Sequence, residues 1–303
     1  MAIVATSCSG RGARPEHAAP EPAAAMAPEL RELLTRGSAL NLAGEQDSAF
    51  AVYRSALDKW PNEYYVHSGL GTILDLTGRF AEARHHWARA IAVASPQQAP
   101  GAHQQLAISY AFECRAADAA RTEQAAIDAH LARRDFSAAA TVYNEQARIF
   151  LECDDAERAL LWYRRGYETV LKALGLSDTA QSLWAFRWAH AQARVAARQG
   201  RPAAAQQHVA AAQAILARGL NPDQLPFFPY LTGYVAFYAG DYQQAIAELQ
   251  HASQTDPFVL ALLARSHEMR GEDAEAQLNW AKARAINAHG LTVAFARRLA
   301  AKP

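Results

Sequence analysis

The sequence predicts an all-α fold of closely packed helices, and three observations support this. Alanine occupies 71 of the 303 positions, and such small side chains allow helices to approach one another closely. A pattern of small, turn and bulky residues recurs along the chain with a period of about 34 residues, which is typical of helical repeats. With 51% apolar residues and only 16 Gly and 13 Pro, the chain can bury a core and is not collagen-like or of low complexity.

Each copy of the repeat starts with a small residue, followed seven positions later by a turn residue, then by Ala, a bulky apolar residue and a second small residue at spacings of five, four and three. The seven copies start at Gly37, Gly71, Ala107, Ala147, Ala193, Gly233 and Ala264. The copies from Ala107 and Ala147 have no glycine at the turn, and their helices look longer. We therefore expect the stretch 97–183 to depart from an ideal stack.

The spacing has a physical interpretation, shown best by one copy. It consists of Gly233, Gly240, Ala245, Leu249, Ala252 and Pro257. The leading small residue lets a second helix approach closely, and glycine at the turn accepts the left-handed conformation that ends the first helix. Ala, the bulky residue and the next small residue then lie on one face of the second helix, and Pro stops that helix.

This pattern resembles the tetratricopeptide repeat (TPR) family. The resemblance implies a right-handed α-solenoid of about seven helical hairpins over residues 30–287, in which the first helices line a concave groove. The family's usual work is binding peptides or partner proteins, without catalysis. Residues 288–303 can form one further helix that caps the last repeat, because a solenoid otherwise leaves a terminal apolar face in water.

Residues 1–29 are expected to form a flexible N-terminal segment, because from 9 to 29 they are rich in Pro, Ala, Gly and Glu and lack aromatic residues. The first ten residues resemble the end of a bacterial lipoprotein signal, with Cys8 as the lipidation site. That interpretation requires a start codon upstream, since a basic start is missing. The alternative is an unstructured cytosolic leader with an incidental cysteine, so the sequence leaves the localisation open between cytoplasm and a membrane-anchored periplasmic position.

Charge and motifs exclude several functions. Thirty basic and thirty acidic residues balance, so the positive field that nucleic acid requires is missing. No apolar stretch is long enough to span a membrane. Cys114 and Cys153 belong to no CxxC pair and are predicted to be structural thiols rather than half of a disulfide framework. Histidine spacings indicate no metal site, and the sequence contains no motif of a catalytic or cofactor site, so neither an enzyme nor a cofactor is predicted.

Candidate binding residues come from the predicted groove. One face of the fifth copy carries a basic stripe, consisting of Arg187, His190, Arg194 and Arg198. The equivalent face of the sixth copy carries aromatic residues, namely Phe227, Tyr230, Tyr234, Phe237 and Tyr238. Asn144 and Arg148 of the fourth copy are placed beside the stripe. Because arginines pair with carboxylates and tyrosines offer large contact areas, we expect an acidic peptide with an apolar or aromatic side chain.

The sequence leaves alternatives to this groove open. The arginines could form a solvated face, and the aromatic residues could belong to the core. At the level of function, a protein-interaction scaffold is expected. A lipid-anchored scaffold that helps assemble an envelope machine is the second hypothesis, and a ligand-sensing regulator or enzyme with a site in the irregular middle repeats is the third.

Overall fold

The computed structural model describes residues 26–301, and within this range it contains fifteen α-helices, one 3-10 helix and no strand. Consecutive helices pack in pairs as seven hairpins, followed by a single last helix. The first four hairpins are α1 (Pro28–Leu42) and α2 (Gln46–Lys59), α3 (Tyr64–Leu76) and α4 (Phe80–Val93), α5 (Ala99–Phe112) and α6 (Ala116–Ala132), and α7 (Phe136–Glu152) and α8 (Ala156–Val170). The last three are α9 (Asp178–Arg198) and α10 (Pro202–Leu216), α11 (Phe228–Tyr238) and α12 (Tyr242–Leu249), and α13 (Pro257–Glu268) and α14 (Asp273–Arg284). The remaining elements are the 3-10 helix Pro222–Phe227 and α15 (Leu291–Ala301), and the predicted all-α solenoid is confirmed.

The repeat spacing determines how the two helices of a hairpin pack. In the second hairpin, Ala83, Trp87 and Ala90 are almost completely buried on one face of α4. Gly71 of α3 lies directly against the Trp87 ring, where an added Cβ would come within 2.6 Å of a ring atom. The small residue that opens each copy is therefore the site at which the bulky residue of the partner helix is accommodated.

The turns within the hairpins share one backbone conformation. Gly78 and Gly240, at the turn position of two clear copies, have φ values of 79° and 81°. Cys114 and Asp154 occupy the same position in the two degenerate copies, and their φ values are also positive, at 53° and 68°. The turn geometry is thus retained where the glycine is lost. Asp155 then caps α8, because its carboxylate accepts a hydrogen bond from the Arg158 backbone N–H at 3.0 Å.

Several helices in the middle of the solenoid are longer than those of the second hairpin. Helices α6 and α7 each have 17 residues and α9 has 21, whereas the second hairpin is built from helices of 13 and 14 residues. Of these longer helices, α7 and α9 provide residues of the site described below.

Cys114 and Cys153 correct one prediction. They form a disulfide between the turn of the third hairpin and the turn of the fourth, with their Cα atoms 5.3 Å apart. The prediction of unpaired thiols was wrong because it relied on short cysteine motifs. In a solenoid, equivalent turns of successive repeats lie side by side, so cysteines 39 residues apart in sequence can meet.

The C-terminal segment contacts two separate parts of the solenoid, whereas the sequence indicated only a cap on the last repeat. Helix α15 packs against α13 and α14, where Phe295 and Phe258 have ring centroids 5.8 Å apart, so it covers the last hairpin. It also packs against α5 across the concave side. Just before α15, His289 lies 2.8 Å from the buried Asp75 carboxylate of α3. The segment therefore connects the last hairpin to the first half of the solenoid.

Candidate functional site

The main candidate site is a cavity of about 650 Å³ on the concave side of the second half of the solenoid. Its walls come from α7, α9, α11 and α13, and the start of α15 closes one side. Seven of the eleven predicted groove residues line this cavity: Asn144, Arg148, Arg187, His190, Arg194, Phe227 and Tyr230. The other four, Arg198, Tyr234, Phe237 and Tyr238, do not line it.

Helical spacing explains how the lining side chains meet. Asn144 and Arg148 are four residues apart on α7, and Arg187, His190 and Arg194 are separated by three and four residues on α9. Residues at these spacings share a helical face. The two faces point toward each other across the cavity because α7 and α9 are the first helices of successive hairpins.

Three arginines line the cavity, and none of them forms an ion pair among residues 26–301; two of the three, Arg148 and Arg194, have a buried Nε. Arg194 is only 6% exposed, and its Nη2 donates a hydrogen bond to the Tyr163 hydroxyl at 2.8 Å, while its Nε has no hydrogen-bond partner. Arg148 has an unpartnered Nε and lies with its guanidinium carbon 5.4 Å from the ring centroid of Phe295. A buried charge without a counterion is unfavourable, so these arginines favour an anion in the cavity.

Arg198 has acidic partners, unlike Arg148 and Arg194, and it does not line the cavity although the sequence analysis placed it among the groove residues. It forms ion pairs with Glu152, at 2.9 Å, and with Asp154. Its side chain is 7% exposed, so it is already neutralised inside the protein. Arg198 is therefore part of an internal network and is not placed to contact a partner in the cavity.

Tyr234 and Phe237 also differ from the expected aromatic wall. Tyr234 is completely buried, and its hydroxyl donates to Glu152 at 3.1 Å. Burial and the nearby Glu152 carboxylate raise its pKa well above the ordinary value. Phe237 packs against the main core and contacts the ring of Tyr242. Since α11 packs against helices on several sides, only part of its aromatic surface reaches the cavity, and Tyr230 is that part.

His190 contributes an uncharged ring. Its pKa lies well below the ordinary value because burial disfavours the charged imidazole and because Arg194 and Arg148 add positive charge beside it. The ring stacks on Tyr230, with centroids 5.8 Å apart. The aromatic wall of the cavity is thus formed by this pair together with the buried Phe186.

Two acidic residues of the cavity were missed by sequence reasoning. Glu145 accepts a hydrogen bond from Gln104 at 2.7 Å, and burial raises its pKa. Asp256 caps α13 by accepting from the Phe258 backbone N–H at 2.8 Å. The position of Glu145, next to the predicted Asn144, could have indicated it. The loop before α13 gave no such signal for Asp256.

A second, smaller pocket of about 380 Å³ lies on the concave side of the first two hairpins. Leu34, Ser38, Ser68 and Thr72 line it together with the rings of three tyrosines. The C-terminal segment contacts Asn41 and Gln105, which also line this pocket. The segment therefore lies beside both sites, and Leu291 at the start of α15 contributes to the larger cavity.

Metal-binding clusters and membrane-spanning helices are two further kinds of functional element. Residues 26–301 contain no group of three metal-binding side chains, and none of their helices is long and apolar enough to cross a bilayer. Cys8 and most of the expected flexible segment lie outside the described residues. The paired histidines His85 and His86 do not form a metal site, and His86 instead packs between helices with its Nδ1 3.0 Å from that of His67.

Stacked helical hairpins around a concave site define an α-solenoid protein. The chain resembles a TPR protein from Parabacteroides merdae of known structure with a TM-score of 0.50 and 14% identity, over 89% of this chain and 98% of that one. PilF from Pseudomonas aeruginosa aligns with a TM-score of 0.31 and 14% identity, over 88% of this chain and 95% of that one. No protein-family model and no curated protein matches the sequence. The similarity to the Parabacteroides merdae structure shows that the chain has the tetratricopeptide repeat fold.

Proposed function

We propose that the protein is an interaction scaffold that binds a partner polypeptide on its concave side, with an acidic side chain of the partner entering the cavity. One observation carries this proposal: Arg148 and Arg194 face a cavity of about 650 Å³ without an acidic partner among residues 26–301. Charged hydrogen bonds between arginine and carboxylate are among the strongest that a surface can offer.

The exposed surface beside the cavity entrance supports a partner that is larger than the cavity. The 3-10 helix places Leu225 and Phe227 at the surface, where they are 54% and 53% exposed, and Phe227 also lines the cavity. Exposed apolar side chains beside a polar pocket are typical of protein interaction sites. An apolar or aromatic residue next to the partner's acidic residue would lie on this surface. The proposal includes no chemical reaction.

A peptide library tests the proposal. Capped peptides with one central Asp or Glu and randomised apolar neighbours are compared with the same library carrying Asn or Gln at the centre. We expect the protein to enrich the acidic library, and Arg148→Gln to reduce the affinity of enriched peptides about tenfold or more, since a charged hydrogen bond is lost. Exposed Arg164→Gln, which removes the same charge from the outer surface of α8, is the control. Equal enrichment of both libraries would contradict the proposal.

A second candidate is an exported scaffold anchored by lipid at Cys8. The disulfide between Cys114 and Cys153 favours it, because disulfides persist mainly in oxidising compartments. We expect protein isolated from its native host under alkylating conditions to show no alkylation at these two cysteines before reduction and alkylation at both afterwards. The same mass spectra report the N-terminal peptide, where a lipid on Cys8 would be found. Two alkylated cysteines without reduction would contradict export.

A further inference from the structure

The buried arginines in and beside the cavity differ in whether they form ion pairs. Arg198 has two carboxylate partners, whereas Arg148 and Arg194 have none among residues 26–301. The two acids on the cavity wall, Glu145 and Asp256, bind Gln104 and the start of α13 instead. The guanidinium groups of Arg148 and Arg194 therefore form no ion pair within the described part of the protein, and the carboxylates of Glu152 and Asp256 act on them only without direct contact.

Tyr230 provides a third donor. Its hydroxyl is buried and has no hydrogen-bond partner, although buried polar atoms are normally paired. Both arginines act electrostatically on Tyr230, so the three groups lie close to one another. The Nε atoms of Arg148 and Arg194 and the Tyr230 hydroxyl are thus three donors without an acceptor at one cavity. A ligand that binds there should provide an acceptor, and the two positive charges favour an anionic one.

The guanidinium of Arg148 is held by aromatic rings rather than by acids. Its central carbon lies 5.9 Å from the centroid of Phe258 and 5.4 Å from that of Phe295. Phe258 belongs to α13 and Phe295 to α15, so the C-terminal helix forms part of the support for this arginine. Aromatic support fixes the guanidinium while leaving its N–H groups available for a planar carboxylate.

We propose that Arg148, Arg194 and Tyr230 form a subsite for a single carboxylate group attached to an apolar or aromatic body, and that Phe295 is a positioning residue for Arg148. The apolar body packs on the remaining lining residues, which include Phe186, Val259 and Leu291. This proposal deepens the proposed function and rests on it for one point only, namely that the carboxylate belongs to a polypeptide. A free organic acid offers the same chemistry.

Small probes test the subsite without a peptide. Binding of 3-phenylpropionate is measured by titration calorimetry and compared with 3-phenylpropionamide, which has nearly the same shape but no charge. We expect the acid to bind about tenfold more tightly than the amide, the size expected for a charged hydrogen bond. Arg148→Gln and Arg194→Gln should each abolish most of this preference, and Arg164→Gln should retain it. Equal binding of acid and amide, or binding of neither, would overturn the subsite.

The role of Phe295 is tested by the same ratio. Phe295→Leu keeps an apolar side chain in the core but removes the ring beneath Arg148, so the preference for the acid should fall while binding of the amide stays the same. A purely structural role would weaken both probes equally and would overturn the positioning role. If Phe295→Leu does not fold, Arg148→Lys provides the second test, because it keeps the charge but loses the planar group that stacks on the ring. An undiminished preference in Arg148→Lys would equally overturn it.

Peptide and probe results separate the two proposals. Acid-selective binding of 3-phenylpropionate without enrichment of acidic peptides supports the subsite and assigns it to a free organic acid. Enrichment of acidic peptides that is insensitive to Arg148→Gln and Arg194→Gln would retain a peptide-binding scaffold, place the acidic side chain outside this cavity, and overturn the subsite.

Discussion

Glu123 is a buried carboxyl group at a position where the other repeats place a bulky apolar residue. It is 2% exposed, and its Oε2 accepts a hydrogen bond from Gln146, which is completely buried. Burial raises the pKa of Glu123 to about 8. The Oε1 atom of Gln146 has no partner, so a protonated Glu123 is the form that suits this environment.

The raised pKa predicts a specific pH dependence of stability. The folded protein binds this proton up to about pH 8, whereas the unfolded chain releases it near pH 4.5, so the free energy of unfolding falls as the pH rises through this window and is constant above it. Glu123→Gln keeps the shape and removes the titration. We expect the variant to be more stable than wild type near pH 9 by roughly 2–4 kcal/mol, and equally stable near pH 4.

Urea unfolding of both proteins at several pH values measures this difference. Glu32→Gln, at an exposed position of α1, is the control for the loss of one carboxylate. A constant difference between wild type and Glu123→Gln across the pH range would show that Glu123 does not titrate in this window.

At the same scale, the sequence could place the arginines on a helical face but could not assign their partners. Arg194 and Arg198 are four residues apart and look equivalent in sequence. Glu152 and Asp154, from the end of α7 and the turn that follows it, form ion pairs with Arg198 and not with Arg194. Ion pairing depends on contacts between residues more than 40 positions apart, which a periodic pattern does not encode.

At the scale of elements, most of the fold could be predicted because each hairpin is specified locally. A glycine such as Gly71 and its bulky partner Trp87 lie within one repeat, so their contact follows from helical spacing. Whether Cys114 and Cys153 meet, and whether Tyr234 is buried, depends instead on how successive repeats stack. Helix α11 packs on α9, α12 and α13, and this crowding buries Tyr234 while Tyr230 reaches the cavity.

At the scale of the whole molecule, the C-terminal segment closes the solenoid. Its apolar side chains, including Val293 and Phe295, are buried, and Phe295 contacts α13. Besides packing on α5, it makes polar contacts to the first half through Asn287, His289, Arg297 and Arg298. The expectation from sequence was limited to a helix that caps the last repeat. The polar contacts span as many as 246 positions, between Asn41 and Asn287, and had no local signal.

This division of contacts predicts that the closure can be released without unfolding the hairpins. In the triple variant His289→Ala, Arg297→Ala and Arg298→Ala, α15 should stay on α13 through its apolar face while the side-chain links to α3 and to the Asp154 turn are lost. Solenoid repeats contact mainly their neighbours, so the superhelix should then open. We expect a larger radius of gyration in X-ray scattering and faster amide exchange in α5, with helix content unchanged by circular dichroism. Arg284→Ala, on the exposed surface of α14, should leave the scattering as in wild type. Superimposable scattering curves for the triple variant and wild type would mean that packing between α5 and α15 maintains the closure without these polar side chains.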